Sequence, residues 1–262
     1  MARTLGTVAL TGAAGAIGTV VRPVLAEHAD RLVLLDEQPI SDAGPTETAR
    51  IVDLRDPDAV VAALEDVDCV VHLGGIADEA PLADLLNVNV LGTYHVLEAA
   101  RRHRLRRVVL ASSNRITGFY PADELVHPDW PVRPDGLYGV SKAGIEALGR
   151  LYHDKFDTQV VCLRIGSMES APTEPRHAAT WLSPRDCTGF ILASLTAPDP
   201  GFRTLYAVSD NAKRFWDDAG WAAIGYRPVD NAARHGYGDD PAEGDDVQGG
   251  EYASAPYTLR NM

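Results

Sequence analysis

The chain has 262 residues, 45% of them hydrophobic and 23% charged, which is typical of a soluble globular protein with one substantial core. A formal net charge of −13 argues against nucleic acid and anionic membranes as partners, because their phosphates would be repelled. With no apolar run near the roughly 18 residues of a membrane span, no signal-peptide pattern and three widely spaced cysteines, the sequence predicts a cytoplasmic protein without a disulfide framework or metal site.

Short apolar runs alternate with helical patterns over residues 1–165, which predicts an α/β fold: a Rossmann-type, doubly wound parallel sheet. The runs are apolar throughout, as expected for strands covered on both faces. The predicted strands are Thr7–Leu10, Leu32–Leu35, Arg50–Asp53, Cys69–Leu73, Val108–Ala111 and Val160–Ile165. The predicted helices are Ile17–His28, Pro57–Leu64, Leu82–His103 and Ser141–Phe156.

The character of the sequence changes after residue 165, where prolines interrupt shorter pieces. We expect residues 1–165 to form the nucleotide-binding core and residues 166–235 a small substrate-binding lobe packed on it. Residues 236–262 begin with an acidic run, Gly238–Asp246, that has almost no apolar side chains. That composition predicts a flexible, solvated tail.

A glycine-rich turn follows the first strand, with glycines at Gly12, Gly15 and Gly18. In this motif the glycines permit a tight turn, close approach of a pyrophosphate and close packing of helix on strand, and the helix N-terminus faces the phosphates. Glycine spacing alone is weak evidence for a nucleotide site, but its position between a predicted strand and a predicted helix strengthens that evidence. We therefore expect a dinucleotide site that also includes Ala16 and Ile17.

The second predicted strand ends at Asp36, about 20 residues after the glycine turn. A carboxylate here accepts hydrogen bonds from the adenine-ribose hydroxyls and repels a 2′-phosphate, so NAD is favoured over NADP. Glu37 adds a second negative charge. Asp53 and Leu54 are placed to meet the adenine, although Asp53 serves equally well as a residue of the turn before Pro57.

Tyr138 and Lys142 lie four residues apart, on one face of a predicted helix. An ammonium near a phenol lowers the phenol pKa, so Tyr138 can exchange a proton with a substrate hydroxyl, while Lys142 holds the nicotinamide ribose. Ser113, at the carboxyl end of the fifth strand, is expected to hold the substrate oxygen beside Tyr138. Ser112 is the alternative, since neighbouring strand residues point to opposite faces. Asn89 either tethers the lower part of the site through backbone hydrogen bonds or is a surface polar residue.

These motifs resemble the extended short-chain dehydrogenase/reductase superfamily and, within it, the uronate dehydrogenase family. The resemblance covers roughly residues 4–235. It rests on Thr11-Gly-x-x-Gly-x-x-Gly18, His72-Leu-Gly-Gly-Ile76, Ala111-Ser-Ser-Asn114, Gly118-Phe-Tyr-Pro121, Arg133-Pro-Asp-Gly-Leu-Tyr-Gly-Val-Ser-Lys142, Arg164-Ile-Gly-Ser167 and Thr180-Trp-Leu182.

In that family NAD accepts a hydride from C1 of a cyclic uronic acid, which gives an aldaric acid lactone. The resemblance implies that Tyr138 is the base, that Ser113 and Asn114 contact sugar oxygens, and that Ser167 and Arg176 face the carboxylate. A guanidinium can bind a carboxylate through two parallel hydrogen bonds, although a surface arginine is the simpler interpretation of Arg176 from the sequence. Further NAD contacts are implied for Leu73, Gly74, Gly75, Asn89 and Ile165.

Two positions depart from the family pattern. Ala77 stands where the family has a serine that faces the sugar, and Arg115 stands where it has a histidine. Loss of a hydroxyl removes one hydrogen bond, and the larger permanent cation is expected to alter the fit of the substrate or to add an anion contact. Both changes bear on the identity of the substrate and leave hydride transfer intact.

The sequence therefore predicts a dehydrogenase for glucuronate or galacturonate. One alternative is a related dehydrogenase or epimerase acting on another aldose, sugar acid or nucleotide sugar. A second is a non-catalytic protein that senses NAD, which the retention of Tyr138 and Lys142 disfavours. A homo-oligomer is compatible with the sequence, which does not specify the oligomeric state.

Overall fold

The structure, a computed structural model, describes residues 5–238 and 246–260. Seven parallel strands form one sheet: β1 Thr7–Thr11, β2 Arg31–Asp36, β3 Glu47–Ile51, β4 Cys69–His72, β5 Arg107–Ser113, β6 Val160–Ile165 and β9 Phe202–Ala207. Their order in the sheet is β3-β2-β1-β4-β5-β6-β9. A separate two-stranded sheet pairs β7 Ser167–Met168 with β8 Trp181–Leu182.

Helices cover both faces of the large sheet, as expected for a doubly wound fold. They are α1 Ala16–His28, α2 Pro57–Ala63, α3 Leu82–Leu85, α4 Gly92–His103, α5 Leu137–Phe156, α6 His177–Thr180, α7 Pro184–Thr196, α8 Trp221–Ile224 and α9 Ala255–Leu259. A π-helix spans Leu86–Leu91, and 3₁₀ turns span Asn114–Thr117, Ala232–His235 and Gly250–Ala253.

Alternate residues of each strand point to opposite faces, so the sheet has two apolar cores. Val8 and Leu10 of β1 face the core that packs against α1 and α7. Ala9, between them, faces the other core, which packs against α2 and α4. Burial on both faces explains why these central strands are apolar throughout. The part of the chain that the structure describes includes no helix long and apolar enough to cross a membrane.

The predicted fold class is confirmed, and several predicted bounds differ from the structure. The third strand runs over Glu47–Ile51 and not over Arg50–Asp53, because this edge strand is largely exposed and its polar residues hide it from an apolar pattern. The predicted helix Leu82–His103 is interrupted by the π-helix. The predicted boundary at residue 165 divides the sheet, since β9 pairs with β6 along its length.

The predicted tail is also different where it is described. The acidic run Gly238–Asp246 lies almost entirely outside the described residues, but residues 246–260 pack against the body of the protein. Gln248 is buried and its backbone N–H donates to the Tyr120 carbonyl at 2.9 Å. The Tyr257 hydroxyl contacts both carboxylate oxygens of Asp78 at 2.7 and 2.8 Å. These contacts tie the C-terminal segment, defined here as residues 246–260, to the loops at the carboxyl edge of the sheet.

Candidate active site

A cavity of about 950 Å³ lies along the carboxyl edge of the sheet. This is the edge at which ligands bind in open parallel sheets, and the volume is at the upper end of the range for small-molecule sites, about 300–1,000 Å³. The predicted site residues that line it are Gly12, Gly15, Ala16, Ile17, Gly18, Asp36, Asp53, Leu54, Leu73, Gly74, Gly75, Ala77, Ser113, Asn114, Arg115, Tyr138, Lys142, Ile165, Ser167 and Arg176. Of the predicted site residues, only Asn89 is absent from this wall.

One half of the cavity is formed by the glycine turn between β1 and α1. Gly12 has a φ of +67°, and a Cβ atom there would lie 2.7 Å from the backbone nitrogen of Gly74. Both the backbone conformation and the close approach therefore require glycine at this position. Thr11 braces the same region, since its Oγ1 accepts a hydrogen bond from the Gly74 N–H at 3.0 Å.

The carboxylate of Asp36 is held at the end of β2 by two backbone groups. It accepts hydrogen bonds from Ala14 N and from Gln38 N, both at 2.9 Å. One contact comes from the glycine turn and the other from the loop after β2. The carboxylate thus has a fixed position on the cavity wall beside the turn.

Asp53 and Leu54 also line this half of the cavity, beyond the end of β3. The Asp53 carboxylate pairs with the Arg55 guanidinium at 2.7 Å, and this pairing, foremost through its hydrogen bonds, lowers the pKa of Asp53. The carboxylate that caps α2 is Asp56, which accepts from Asp58 N and Ala59 N. Asp53 is therefore part of an ion pair on the cavity wall and does not cap the helix.

Asn89 is a tether. It is buried inside the π-helix, where its Oδ1 accepts from Ile76 N at 2.8 Å and its Nδ2 donates to Ile76 O and to Ser141 Oγ, both at 3.0 Å. It therefore fixes the loop after β4 to α5 and does not contact the cavity. The hydrogen bonds of Asn89 match the predicted tether, and its predicted contact with NAD stays a prediction.

The two serines at the end of β5 have different partners. Ser112 Oγ donates to the buried carboxylate of Glu146 at 2.6 Å. Ser113 Oγ accepts a hydrogen bond from Arg115 N at 3.2 Å and interacts with the phenol of Tyr138. Ser113 is therefore the serine beside Tyr138.

Tyr138 and Lys142 lie on the first turns of α5, with the ammonium nitrogen 5.5 Å from the centre of the phenol ring. Burial raises the pKa of Tyr138 to about 12, against the lowering effects of the Ser113 hydrogen bond and of the Arg115 charge. Burial lowers the pKa of Lys142 to about 8, and its Nζ donates to the Ala111 carbonyl at 2.9 Å. The sequence attributed the lowering of the phenol pKa to Lys142, but in the structure Arg115 is the cation that opposes burial.

Arg115 is surrounded by carboxylates. Its guanidinium lies 2.7 Å from Asp78, 2.9 Å from Asp135 and 3.3 Å from Glu79. Burial lowers its pKa but the three carboxylates outweigh this effect, so the pKa is raised and the side chain is charged. The predicted second contact with a substrate anion gains no support, because each of the three guanidinium nitrogens of Arg115 already donates to an acidic side chain.

Arg176 and Ser167 line the other end of the cavity. Arg176 donates from Nε and Nη2 to the carbonyl oxygen of Gln248, at 3.1 and 2.8 Å, and its guanidinium lies 5.4 Å from the centre of the Tyr252 ring. Ser167 Oγ is 2.9 Å from Thr180 Oγ1. The C-terminal segment thus holds Arg176 in the wall of the cavity.

Sequence reasoning missed two groups of site residues. Tyr252 lines the cavity, and its ring lies 4.6 Å from the Arg115 guanidinium. The sequence does contain a signal that the C-terminal segment packs against the protein, because two tyrosines, Tyr252 and Tyr257, follow the acidic run. The second group is the set of carboxylates around Arg115. They come from separate loops, so no local pattern joins them.

Residues 8–185 match the model of the NAD dependent epimerase/dehydratase family. The match covers more than half of the chain. The chain belongs to this family.

Within this family, the chain is similar to dehydrogenases that act on sugars and sugar acids. A uronate dehydrogenase of Agrobacterium fabrum is 44% identical over 85% of this chain and 84% of its own length. A uronate dehydrogenase of Pseudomonas syringae pv. tomato is 38% identical over 95% of this chain and 94% of its own. An NAD-dependent glucose-6-phosphate dehydrogenase of Haloferax volcanii is 34% identical over 90% of this chain and 98% of its own.

Solved structures of uronate dehydrogenases are also similar to this chain. The crystal structure of uronate dehydrogenase from Agrobacterium tumefaciens superposes with a TM-score of 0.91 at 40% identity, over 97% of this chain and 99% of that one. A tyrosine-to-alanine mutant from the same organism, complexed with NAD, gives a TM-score of 0.90 at 40% identity, over 96% and 98%. The predicted resemblance to uronate dehydrogenases is confirmed.

Proposed function

We propose that this protein is an NAD-dependent dehydrogenase that oxidises C1 of a cyclic uronic acid, glucuronate or galacturonate, to the aldaric acid lactone. The observation that carries the proposal is one continuous cavity. A glycine turn and the Asp36 carboxylate line one half, while Ser113, Tyr138 and Arg176 line the other. Such an arrangement suits a dinucleotide bound beside a small polar substrate.

Residues of the first half fit NAD. The Asp36 carboxylate, fixed by two backbone N–H groups, is placed for the adenine-ribose hydroxyls and disfavours a 2′-phosphate. The turn at Gly12 leaves no room for a side chain, which brings the backbone close to a pyrophosphate at the N-terminus of α1. When bound, NAD supplies the nicotinamide that accepts the hydride from C1.

Tyr138 is proposed as the general base. It takes the proton of the C1 hydroxyl as the hydride leaves, and Ser113 Oγ holds the same oxygen. The high pKa of the buried phenol means that the proton transfer needs nearby positive charge. Arg115 supplies such charge at 5.3 Å from the ring centre, and Lys142 adds more when it is protonated. Lys142 is also placed to hold the nicotinamide ribose.

The carboxylate of the uronic acid is assigned to Arg176 and Ser167. Both residues line the cavity, as do Ser113 and Asn114 at the end of β5. Arg176 is anchored on Gln248 O, so its orientation is set by the C-terminal segment before a substrate arrives. Ala77 leaves the sugar one hydroxyl contact fewer than the family pattern provides.

The test is NADH formation, followed by absorbance, with glucuronate, galacturonate, glucose, arabinose and glucose 6-phosphate. We expect turnover of a uronate, and a rise in its KM of about 10- to 100-fold in Arg176→Ala, because a charge-assisted contact is worth about 1.5–3 kcal/mol. Arg150→Ala, which removes an exposed arginine paired with Asp154, is the control. No turnover of either uronate by the folded protein would overturn the proposal.

A second candidate is a dehydrogenase for a neutral or phosphorylated aldose. The similarity to the Haloferax volcanii glucose-6-phosphate dehydrogenase and the absence of a hydroxyl at Ala77 favour it. This enzyme would prefer glucose 6-phosphate or an aldose in the same panel. Unchanged KM for uronates in Arg176→Ala would also favour it.

We propose that the enzyme works in the cytoplasm. Cys69, Cys162 and Cys187 are all buried and free, which suits a reducing compartment. Fractionation of the source cells, with the enzyme followed by its uronate-dependent NADH formation, tests this location; activity outside the cytoplasm would contradict it.

A further inference from the structure

Helix α5, which carries Tyr138 and Lys142, begins without a cap of its own. The residue before it, Gly136, has no side chain to accept hydrogen bonds from the first backbone N–H groups. These N–H groups have no partner within the helix, and a buried helix end without partners is costly. The partner comes from a loop almost 60 positions earlier in the chain.

Glu79 is that partner. Its Oε1 accepts a hydrogen bond from Leu137 N at 2.7 Å, and its Oε2 accepts one from Tyr138 N at 3.2 Å. The Glu79 side chain is fully buried. An anion at a helix N-terminus also interacts favourably with the helix dipole. The backbone of Tyr138 is therefore held directly by the Glu79 carboxylate.

The same carboxylate also binds Arg115, the cation beside the Tyr138 ring. Glu79 Oε2 lies 3.3 Å from Arg115 Nη2, and the Arg115 guanidinium lies 5.3 Å from the centre of the Tyr138 ring. One buried group thus fixes the phenol from two directions, through its backbone and through the cation beside its ring.

The residue at the start of the helix fits this arrangement. A Cβ atom on Gly136 would lie 2.5 Å from Glu79 Oε2, closer than nonbonded atoms approach. The backbone of Gly136 is extended, with φ of −170°, so glycine is needed for the close approach and not for the conformation. The glycine makes room for the carboxylate.

We propose that Glu79 is a positioning residue for the reaction: it caps α5 from a distant loop and pairs with Arg115, and so sets the position of the Tyr138 phenol relative to Ser113 and the bound sugar. The inference rests on the proposed role of Tyr138 as the base. Glu79 directly follows Ala77 and Asp78, which line the cavity, and Asn89 binds the backbone of Ile76 in the same loop. The loop that faces the proposed sugar site therefore also aligns the base.

Three variants test it: Glu79→Ala, Glu79→Gln and Gly136→Ala. We expect Glu79→Ala to lower kcat by about 10- to 100-fold, since small displacements of a catalytic group cost this much. The KM for NAD should be unchanged. Glu79→Gln retains an acceptor for one N–H group and should lose less. Gly136→Ala retains the charge but displaces it, and should resemble Glu79→Ala.

Ser183→Ala is the matched control, because Ser183 caps α7 by accepting from Asp186 N and lies outside the cavity. The melting temperature of Ser183→Ala should fall, but its kcat per NAD-binding site should not change. If Glu79→Ala behaves in the same way, its role is structural and the proposal is wrong. Should that variant fail to fold, Glu79→Gln and Gly136→Ala decide the question by the same kcat measurement.

A double variant separates this inference from the proposed function. If Glu79 acts through the phenol, Glu79→Ala should not slow Tyr138→Phe further, whereas a general disturbance of the site would. Should Tyr138→Phe alone keep the wild-type rate, the proposed base is wrong. Should it lose activity while Glu79→Ala keeps its kcat, only the role of Glu79 is wrong.

Discussion

The guanidinium of Arg115 lies 5.3 Å from the centre of the Tyr138 ring and is held there by three carboxylates. Its charge therefore acts on the phenol while each of its three guanidinium nitrogens donates to a carboxylate. The carboxylates act in the opposite sense, and Asp78 raises the pKa of Tyr138. The balance between this cation and these anions sets how readily the phenol gives up its proton.

The first prediction concerns the pH dependence of sugar oxidation, in which kcat should rise with pH as Tyr138 loses its proton. Arg115→Met removes the cation, so the rising part of the profile should move up by about one pH unit. Asp78→Asn removes an anion and should move it down. The measurement is kcat against pH at saturating NAD and sugar.

Arg150→Met is the control, since this arginine is exposed and pairs with Asp154 on the far part of α5. Its profile should match that of the wild type. Shifts of the same sign in Arg115→Met and Asp78→Asn would contradict the electrostatic explanation.

The second prediction concerns the choice of cofactor. Asp36→Ala should weaken NAD binding by about 10- to 100-fold, because hydrogen bonds to a charged group contribute about 1.5–3 kcal/mol. It should also improve the use of NADP. The kcat/KM value for each cofactor measures the effect on that cofactor, and the ratio of the two values measures the change in preference. Glu37→Gln removes the neighbouring charge but not the two backbone contacts of Asp36, and should change the ratio less.

The central part of the fold and the nucleotide half of the site follow from local sequence. Val160–Ile165 is found as predicted, and the turn at Gly12 lies where the glycine spacing puts it. Buried parallel strands are apolar runs and a dinucleotide turn needs glycine, so neighbouring residues are sufficient to recognise both. The residues predicted to contact the sugar came from the family resemblance and not from a local pattern.

What could not be predicted depends on contacts between distant segments. Strand β9 completes the sheet, but it is an edge strand with partly exposed residues, and its apolar pattern is weak. The C-terminal segment follows an acidic run and becomes ordered through Gln248 and Tyr257. The role of Arg115 depends on carboxylates that its neighbours in sequence do not supply.

The third prediction uses Asp135, which is buried against Arg115. Burial raises its pKa from 3.8 to about 6, although Arg115 lowers it. Because the pKa is higher in the folded state, the folded protein retains a proton that the unfolded chain releases between pH 4 and 6. This contribution to stability is present below pH 4 and is lost as the pH rises through about 6.

The loss amounts to about 3 kcal/mol, at 1.36 kcal/mol for each unit of the difference between the two pKa values. Asp135→Asn cannot lose that proton. The free energy of unfolding of this variant, minus that of the wild type, should therefore rise by most of this amount between pH 4 and 7. Urea unfolding at several pH values measures it. A constant difference would mean that Asp135 titrates alike in both states.

The fourth prediction concerns the buried ion pair beneath the site. Arg164 on β6 binds Glu146 on α5 through two hydrogen bonds of 2.9 Å, and Glu146 also accepts from Ser112. Arg164→Met leaves the carboxylate buried without its cation, which should lower the free energy of unfolding by about 3–5 kcal/mol. Arg150→Met, which breaks an exposed pair on the same helix, should cost less than about 1 kcal/mol.

Both free energies come from urea unfolding at neutral pH. A loss in Arg164→Met as small as that in Arg150→Met would show that water reaches Glu146. The double variant Glu146→Leu with Arg164→Met provides a further test, since it also removes the Glu146 carboxylate that Arg164→Met leaves unpaired. It should be more stable than Arg164→Met alone, because the unpaired carboxylate, and not the lost attraction, accounts for most of the cost.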